Sequence, residues 1–399
     1  MNIQTHPIWT QNAPTTKAKI HSFKKPFHLA RIFFAQQYAK LFPRTMYIGV
    51  TGTAGKTTTV DACRLVLESK MKVLATNPNL DPILNIPITI LKTKPFIKKV
   101  ILEMGVEYPG EMDFYFSIVK PSTAIVTTIA YQHSQFLGDL KSIAHEKGKL
   151  VAQLPKTGVA ILNWDDINVR KMADLTQAEV IFYGQDSNNC QVWAGNVKIE
   201  DFKTVFELNH GVERVKVIYP LLGVHQIYPA LAAAALGLSE GITLPAIKRA
   251  LEAMHPQGHR LEVLEGYNGS IILDDSYNGA PVSVEAALDT LQRIIARRRI
   301  VVLGETKELG DYSEEQHRNI ARIIYRDKIE LVLLGSGEAK YISDELMRLG
   351  FPEERIEPDL NNSQMVSKLL KVLGKGDICL VKGSRSLRLD EVVKRIAKK

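Results

Sequence analysis

The 399-residue chain is 45% hydrophobic and 24% charged, which is typical of a soluble globular protein with room for two or three domains. Its longest apolar stretches, such as residues 230–238, are far too short to span a bilayer, and its polar start resembles no secretory signal. We therefore expect a cytoplasmic protein. Cys63, Cys190 and Cys379 lie far apart, which argues against a disulfide framework or a zinc ribbon and predicts buried thiols.

The net charge of +8 is concentrated at the start of the chain. Residues 1–46 hold seven Lys and Arg and no acid, so the rest of the chain carries only +1. This distribution does not indicate a nucleic-acid partner. The favoured interpretation is a solvated basic arm. The less favoured alternatives are a helix that packs on the central domain and offers its cations to a phosphate-bearing substrate, and a helix that lies on a membrane surface.

The first predicted strand, residues 46–50, runs into a glycine-rich turn with the sequence GVTGTAGKTTT (49–59). A strand followed by such a turn and a helix builds a cradle for nucleotide phosphates, so an ATP-using enzyme is expected. Lys56 can reach the terminal phosphate, and the Thr57 hydroxyl can ligate Mg²⁺. The loop is short, because Val50 stands where the strict motif has its first glycine. The residues predicted to surround the phosphates are Gly52, Thr53, Ala54, Gly55, Lys56, Thr57 and Thr58.

Short β-rich runs then alternate with helical stretches, which predicts an α/β fold with a mostly parallel sheet. Further strands are predicted at 72–75, 100–103, 123–128, 159–162 and 180–184, followed by an antiparallel hairpin of runs 191–199 and 202–208. Helices are predicted at 140–154, 230–238 and 244–254, and the segment 255–259 (HPQGH) breaks the helical pattern. We place a domain boundary there.

Several polar residues lie where predicted strands end, the edge at which open parallel sheets bind ligands. Glu103 ends one strand and suits Mg²⁺, although helix capping or a surface position is the alternative. His133 and Asn163 follow the next two strands. Lys147 lies in the middle of an apolar helix face. On spacing alone its ammonium group snorkels to solvent; the alternative is a buried neutral amine that reacts with CO₂ to form a carbamate.

A second α/β unit follows, with predicted strands at 271–275, 299–304, 331–335 and 377–383. The pair Asn268-Gly269 predicts a tight turn before the first of them. Arg260 and Asp275 lie on either side of this turn, where they can reach back toward ATP. Taken alone, His225 is more typical of a capping or core histidine. The predicted domains are a short basic N-terminal segment (1–45), a central P-loop ATP-binding domain (46–256) and a Rossmann-like C-terminal α/β domain (257–399).

In order and spacing, these residues resemble the Mur ligase family, the ATP-dependent amide ligases of peptidoglycan synthesis. The resemblance covers about 340 residues, and DDSYNGAP (274–281) and EMGVEYPGEM (103–112) resemble the branch that adds D-alanyl-D-alanine. The other matching strings are TGTAGKTTT (51–59), IVTTIAYQHSQFLG (125–138), HEKGKL (145–150), LNWDD (162–166), GVHQIYPALAA (223–233), GHRLEVL (258–264), GETKELGDYSEEQH (304–317) and LVKGSRSLRLDEVV (380–393).

The resemblance implies an acyl-phosphate mechanism, in which ATP phosphorylates the terminal carboxylate of a UDP-muramoyl peptide and the amine of an amino acid or dipeptide then attacks it. It implies that Lys56 neutralises charge, that Thr57 and Glu103 hold one Mg²⁺, and that His133 and carbamylated Lys147 hold a second. Nucleotide contacts are implied for five further residues: Asn163, His225, Gln226, Arg260 and Asp275. Partners would be small molecules, and we expect a monomer.

The sequence departs from the family pattern at several points. The 48 residues ahead of the phosphate loop are too few for the usual UDP-binding domain. Asp81, Pro82 and Asn85 replace the family's usual residues on the side that faces the muramoyl substrate. Pro229 replaces an asparagine that contacts adenine, and the usual Gly-Pro before the metal histidine is replaced within 130–132. A ligase for another carboxylate and a noncatalytic nucleotide-binding subunit therefore remain alternatives, whereas the Gly-Lys-Thr-Thr sequence argues against a folate polyglutamylating enzyme.

Overall fold

A computed structural model describes residues 24–78 and 80–398. The first 23 residues of the predicted basic segment, Asn79 and Lys399 therefore lie outside the described residues. The first sheet contains β1 (Tyr47–Thr51), β2 (Val73–Ala75), β3 (Lys99–Glu103), β4 (Thr123–Val126), β5 (Val159–Asn163), β6 (Glu179–Gly184), β7 (Val192–Glu200), β8 (Lys203–His210) and β9 (Glu213–Tyr219). The helices around it are α1 (Lys25–Ala39), α2 (Lys56–Glu68), α3 (Pro82–Leu91), α4 (Glu111–Ile118), α5 (Ser134–Leu137), α6 (Leu140–Ala152), α7 (Ile167–Arg170), α8 (Ile227–Ser239) and α9 (Leu244–Glu252).

The strand order of this nine-stranded sheet is β2-β3-β1-β4-β5-β6-β7-β8-β9. Strands β1 to β6 pair in parallel, β7 joins in parallel to β6, and β7, β8 and β9 pair antiparallel. The predicted hairpin is therefore confirmed, but it has a third strand, β9, that the sequence did not predict.

Alternating side chains of the central strands point to two apolar cores, one on each face of the sheet. In β1, Tyr47 packs with α1, α3, α4 and α6, whereas Ile48 and Val50 pack with α2, α8 and α9. This three-layer arrangement follows from strands that are apolar on both faces. The carboxyl ends of the parallel strands are left free to form a site.

The second sheet has six strands in the order β10-β11-β15-β12-β13-β14, and only the pair β10-β11 is antiparallel. The pair Asn268-Gly269 joins β10 to β11, and both residues have positive φ, as the predicted tight turn requires. The α/β class with two largely parallel sheets is confirmed, whereas the domain limits stay predictions. The strands are β10 (Glu262–Glu265), β11 (Ile271–Asp275), β12 (Arg298–Leu303), β13 (Leu331–Gly335), β14 (Ile356–Leu360) and β15 (Asp377–Lys382), and the helices are α10 (Pro281–Gln292), α11 (Ser313–Arg326), α12 (Lys340–Arg348), α13 (Asn362–Val372) and α14 (Asp390–Ile396).

The expectation of a solvated basic arm is wrong for the described part of the N-terminal segment. We call each sheet with its surrounding helices a unit, the nine-stranded one first. Helix α1 packs on the first unit and buries Ile32, Ala35 and Ala39 in the core of that unit. Tyr38 donates from its hydroxyl to the Thr93 carbonyl at 2.8 Å, which fastens α1 to the end of α3. The predicted burial of the cysteines is confirmed, because all three are buried and free. None of the helices formed by the described residues has the length and apolar character that crossing a bilayer requires.

Candidate functional site

The glycine-rich loop lies between the buried strand β1 and the start of α2. Gly52 and Gly55 have φ values of 142° and 79°, which favour glycine. A Cβ atom at Gly52 would lie 1.9 Å from Thr127 Oγ1, so only glycine fits there. The Thr53 N–H donates to the Thr128 carbonyl at 2.7 Å, and Thr127 Oγ1 donates to the Ala54 carbonyl at 2.6 Å. The loop is thus held rigidly against the end of β4.

The side chain of Lys56 folds over this loop. Its Nζ donates to the carbonyl oxygens of Gly52 at 2.9 Å and Thr53 at 3.1 Å. Because the loop N–H groups lie at the N-terminus of α2, the positive end of the helix dipole is added to the charge of Lys56. The arrangement is suited to bind the phosphates of a nucleotide.

Two oxygen ligands meet beside the loop. Thr57 Oγ1 donates to Glu103 Oε2 at 3.0 Å, and the Glu103 N–H is held by Thr76 Oγ1 at 3.0 Å. Arg260 lies in the segment before β10, and its Nη2 donates to Thr57 Oγ1 at 3.4 Å. Hydroxyl and carboxylate oxygens are the ligands that Mg²⁺ prefers.

Lys147 of α6 is 1% exposed, so the prediction that it snorkels to solvent is wrong. Burial lowers the pKa of Lys147 to about 7, and the positive charge of Lys56 acts in the same direction, against Glu111 and Glu146. A substantial fraction of a group with this pKa is a neutral, nucleophilic amine at pH 7.

His133 is joined to the second sheet unit. Its Nδ1 lies 2.6 Å from Glu308 Oε2, and its Nε2 lies 3.9 Å from Glu107 Oε1. Both His133 and Glu308 have left-handed backbones, with φ values of 54° and 67°. Such strain costs on the order of 1–3 kcal/mol per residue and is typical of functional sites.

The backbone next to His133 and Glu308 fixes the same junction. The Gln135 N–H donates to the Glu308 carbonyl at 3.0 Å, and Ser134 Oγ donates to the Leu309 carbonyl at 2.9 Å. The rings of Tyr131 and Tyr312 stack at 4.5 Å. The two units therefore meet directly at the predicted metal histidine.

Three residues predicted to contact the nucleoside, Asn163, His225 and Gln226, are held by contacts within the protein. Asn163 is buried and donates from Nδ2 to the Thr127 carbonyl at 2.9 Å, so much of its polar capacity serves the strand ends. Burial, followed by the charge of Lys382, lowers the pKa of His225 to about 4, which keeps its ring neutral at pH 7. Gln226 Nε2 lies 3.2 Å from His225 Nε2.

Two further predicted residues come from the second unit. Lys382 Nζ donates to Asp275 Oδ2 at 2.5 Å, and burial raises the pKa of Asp275 although Lys382 acts in the opposite direction. The guanidinium of Arg260 lies 4.2 Å from the ring centre of Tyr277, and that of Arg385 lies 4.6 Å from it. The ring of Tyr277 thus contacts both guanidinium groups and helps to position them.

One cavity of about 900 Å³ brings nearly all of these residues together. Gly52 and Lys147 do not line it: Gly52 supports the loop, and Lys147 is buried close enough to Lys56 for their charges to repel. The predicted residues that line it are Thr53, Ala54, Gly55, Lys56, Thr57, Thr58, Glu103, His133, Asn163, His225, Gln226, Arg260 and Asp275.

Residue-level reasoning missed Glu107, Tyr277, Glu308, Lys382 and Arg385, which also line the cavity. All five lie inside strings that carry the family resemblance, so the signal was present in the sequence. Their contacts connect segments far apart in the chain, such as His133 with Glu308, and no local spacing reveals such a pair.

Comparison with known proteins agrees with this geometry. The sequence model of the Mur ligase middle domain matches residues 50–237, and that of the Mur ligase, glutamate ligase domain, matches residues 259–385. The UDP-N-acetylmuramoyl-tripeptide--D-alanyl-D-alanine ligase of Bacillus subtilis (strain 168) is 30% identical over 367 residues, which are 90% of this chain and 78% of that protein. This chain belongs to the Mur ligase family.

Two solved structures share the fold of this Mur ligase. MurF from Acinetobacter baumannii superposes with a TM-score of 0.84 at 22% identity, over 92% of this chain and 80% of that one. MurF ligase from Thermotoga maritima, solved in complex with ADP, has a TM-score of 0.82 at 22% identity, over 92% of this chain and 83% of that one. The family resemblance is confirmed, and the chain is an ATP-dependent ligase.

Proposed function

We propose that this Mur ligase joins the amine of D-alanyl-D-alanine to the terminal carboxylate of a UDP-muramoyl tripeptide, with conversion of ATP to ADP and phosphate. The observation that carries the proposal is the single cavity, in which the phosphate loop faces Glu103, His133 and Arg260. The name of the Bacillus subtilis relative and the strings DDSYNGAP and EMGVEYPGEM support this substrate pair.

The proposed reaction has two steps. A carboxylate oxygen attacks the γ-phosphorus of ATP, so that an O–P bond forms and the bond to ADP breaks. The free amine then attacks the acyl carbon, phosphate leaves with the electron pair of the C–O bond, and the amine loses its proton to solvent. Lys56 and the loop N–H groups stabilise the negative charge of the transferring phosphoryl group, and positioning and charge supply most of such catalysis.

The oxygen atoms of Thr57 and Glu103 fit a magnesium ion, since they lie 3.0 Å apart and face the phosphate loop. When bound there, the ion neutralises part of the charge on the phosphoryl group. Arg260 reaches the Thr57 hydroxyl from the second unit and adds a positive charge beside it. We assign Arg260 and Asp275 to nucleotide binding from that side, with Asn163, His225 and Gln226 on the nucleoside side.

We assign His133, which lines the cavity, and Lys147, which does not line it, to a second magnesium ion, for which Lys147 would supply ligands in its carbamate form. When Nδ1 of His133 donates to Glu308, Nε2 keeps its lone pair for a metal. The neutral amine of Lys147 can attack CO₂, form an N–C bond and release a proton, which leaves a carbamate with oxygen ligands. The low pKa of Lys147 favours this step, because the ammonium form is not nucleophilic.

A ligase for a related carboxylate is the second candidate. The residues that depart from the family pattern at the cavity wall use their polar groups for hydrogen bonds within the protein. Asp81 lines the cavity and accepts from the Ile83 N–H at 3.0 Å as the cap of α3. Asn85 is buried and donates from Nδ2 to the Asn77 carbonyl at 2.7 Å. Asp81 therefore forms part of the wall, and Asn85 supports it from behind through its contact with Asn77.

Phosphate release by the full chain, measured with each substrate pair in turn, tests the proposal. We expect release only when ATP, UDP-muramoyl tripeptide and D-alanyl-D-alanine are all present, with a matching amount of pentapeptide product in mass spectra. The Lys56→Ala variant, purified in the same way, controls for contaminating ligases. Release that requires another carboxylate favours the second candidate. ATP binding without release for any pair indicates a noncatalytic subunit.

A further inference from the structure

Helix α1 is apolar on two opposite faces. Its inner face buries Ile32, Ala35 and Ala39 in the core of the first unit. On the outer face, Phe27 is 76% exposed and Phe34 is 60% exposed. Large apolar side chains exposed together on a helix whose opposite face is already buried typically mark an interaction surface, so the outer face of α1 indicates a partner.

The exposed residues form a continuous stripe. Phe27 and Phe34 are seven residues apart and therefore lie on one side of α1, and Leu41, which is 74% exposed, follows in the turn after the helix. Phe33 is also exposed, and its ring contacts that of Phe34 edge-on at 5.8 Å. We call these four residues the outer stripe.

A further exposed aromatic residue, Phe96, lies in the turn between α3 and β3, close to α1. Tyr38 of α1 donates to the Thr93 carbonyl of this turn at 2.8 Å. Phe96 is exposed there, and Lys72 Nζ lies 4.9 Å from the centre of its ring. An exposed ring and an ammonium group thus lie at this turn, close to α1.

The described segments that carry the exposed rings are basic. Residues 24–46 contain five Lys and Arg and no acid, and residues 92–99, which include Phe96 and the start of β3, contain four Lys and no acid. The rest of the chain has 42 Lys and Arg against 43 acids and is nearly neutral. The excess positive charge of the protein is therefore carried by these two segments.

We propose that the outer stripe of α1 docks this Mur ligase onto an anionic lipid bilayer. Exposed Phe and Leu would enter the boundary between headgroups and acyl chains, while the surrounding Lys and Arg contact the lipid phosphates, as in helices that lie in the plane of a membrane. A second copy of the chain fits less well, because two stripes brought face to face would oppose two surfaces of the same positive sign. The proposal does not depend on the substrates of the ligase.

Flotation of the full chain with lipid vesicles tests this docking. We compare vesicles of pure phosphatidylcholine with vesicles that contain phosphatidylglycerol, at low and at high salt. The chain should float with the anionic vesicles only, and high salt should release it, because the Debye length shrinks to about 3 Å at 1 M. The Phe27→Ser/Phe34→Ser variant should bind on the order of tenfold more weakly while keeping its melting temperature and phosphate release.

The matched control is Val212→Ser/Ile295→Ser, which removes two apolar side chains as exposed as any in the described chain but far from α1 in sequence. This control should float like the original chain. The proposed docking is wrong if the full chain does not float with anionic vesicles, or if the control substitutions weaken binding as much as the stripe substitutions do. It is also overturned if sedimentation shows a dimer that only the stripe variant dissociates, while vesicles bind none of the three proteins.

Discussion

Glu308 reaches His133 from the second unit, so removing its carboxylate should weaken the magnesium site that we propose at His133 without altering the phosphate loop. The contact between Nδ1 and Oε2 is 2.6 Å, and both side chains are less than a fifth exposed. Outer carboxylates that orient a metal-binding histidine typically contribute 10–100-fold to metal affinity or activity, which corresponds to about 1.4–2.7 kcal/mol. The Glu308→Ala variant should therefore need about 10–100 times more Mg²⁺ for half-maximal phosphate release.

The assay is a titration of phosphate release against Mg²⁺ at saturating ATP, with melting temperatures measured in parallel. Glu308→Gln keeps a hydrogen-bond acceptor but loses the charge, so its Mg²⁺ requirement should lie between those of the original chain and the alanine variant. Asp311→Asn is the matched control, because it removes an exposed acid three residues away in the same loop. An alanine variant that melts earlier but keeps the original Mg²⁺ dependence would refute the reasoning and leave Glu308 with a purely structural role.

Three further predictions concern single residues. Lys56→Ala should lower turnover by roughly 10³-fold with little change in melting temperature, and a variant that keeps most of its phosphate release contradicts the role of the loop lysine. Because burial lowers the pKa of Lys147 to about 7, its neutral fraction should rise from roughly one-tenth at pH 6 to roughly nine-tenths at pH 8. Reactivation of CO₂-stripped enzyme by bicarbonate should therefore be faster at pH 8, and Lys147→Arg should be inactive at both pH values; a fully active arginine variant excludes the carbamate. Pro229 lines the cavity without a side-chain donor, so Pro229→Asn should raise the preference for ATP over GTP in competition assays. An unchanged preference would show that other groups read the base.

The predicted fold was accurate where strands are buried and missed three of the four edge strands. The central strands appear as continuous apolar runs, and every one of them was predicted. The three missed strands, β9, β10 and β14, are all edge strands. In β9, Val215, Val217 and Tyr219 alternate with the exposed Arg214, Lys216 and Ile218, which is the pattern of a half-buried strand, so the sequence contained this signal although the strand was not predicted. Strands β10 and β14 give weaker signals, because β10 has only four residues and β14 contains a proline.

The residues of the candidate site also fall into two groups, those that local spacing identifies and those that only the fold brings together. The phosphate loop is local in sequence, so Gly52, Gly55 and Lys56 could be identified from spacing alone. The contacts of Glu308 and Lys382 depend on how the two units meet, and the fold places them beside residues more than 100 positions away. Spacing also misjudged Lys147: its position on the apolar face was predicted, but the burial that lowers its pKa, and the charges of Lys56 and Glu111 that act on it, depend on how the chain folds around α6.

Transfer of ¹⁸O from substrate to phosphate tests the central claim most directly, since an acyl phosphate must pass one carboxylate oxygen to the phosphate that leaves. UDP-muramoyl tripeptide labelled with ¹⁸O in its terminal carboxylate is turned over by the full chain with ATP and D-alanyl-D-alanine, and the released phosphate is analysed by mass spectrometry. The account predicts one ¹⁸O atom in each phosphate and one in the new amide carbonyl. Unlabelled phosphate formed together with the pentapeptide product would contradict it.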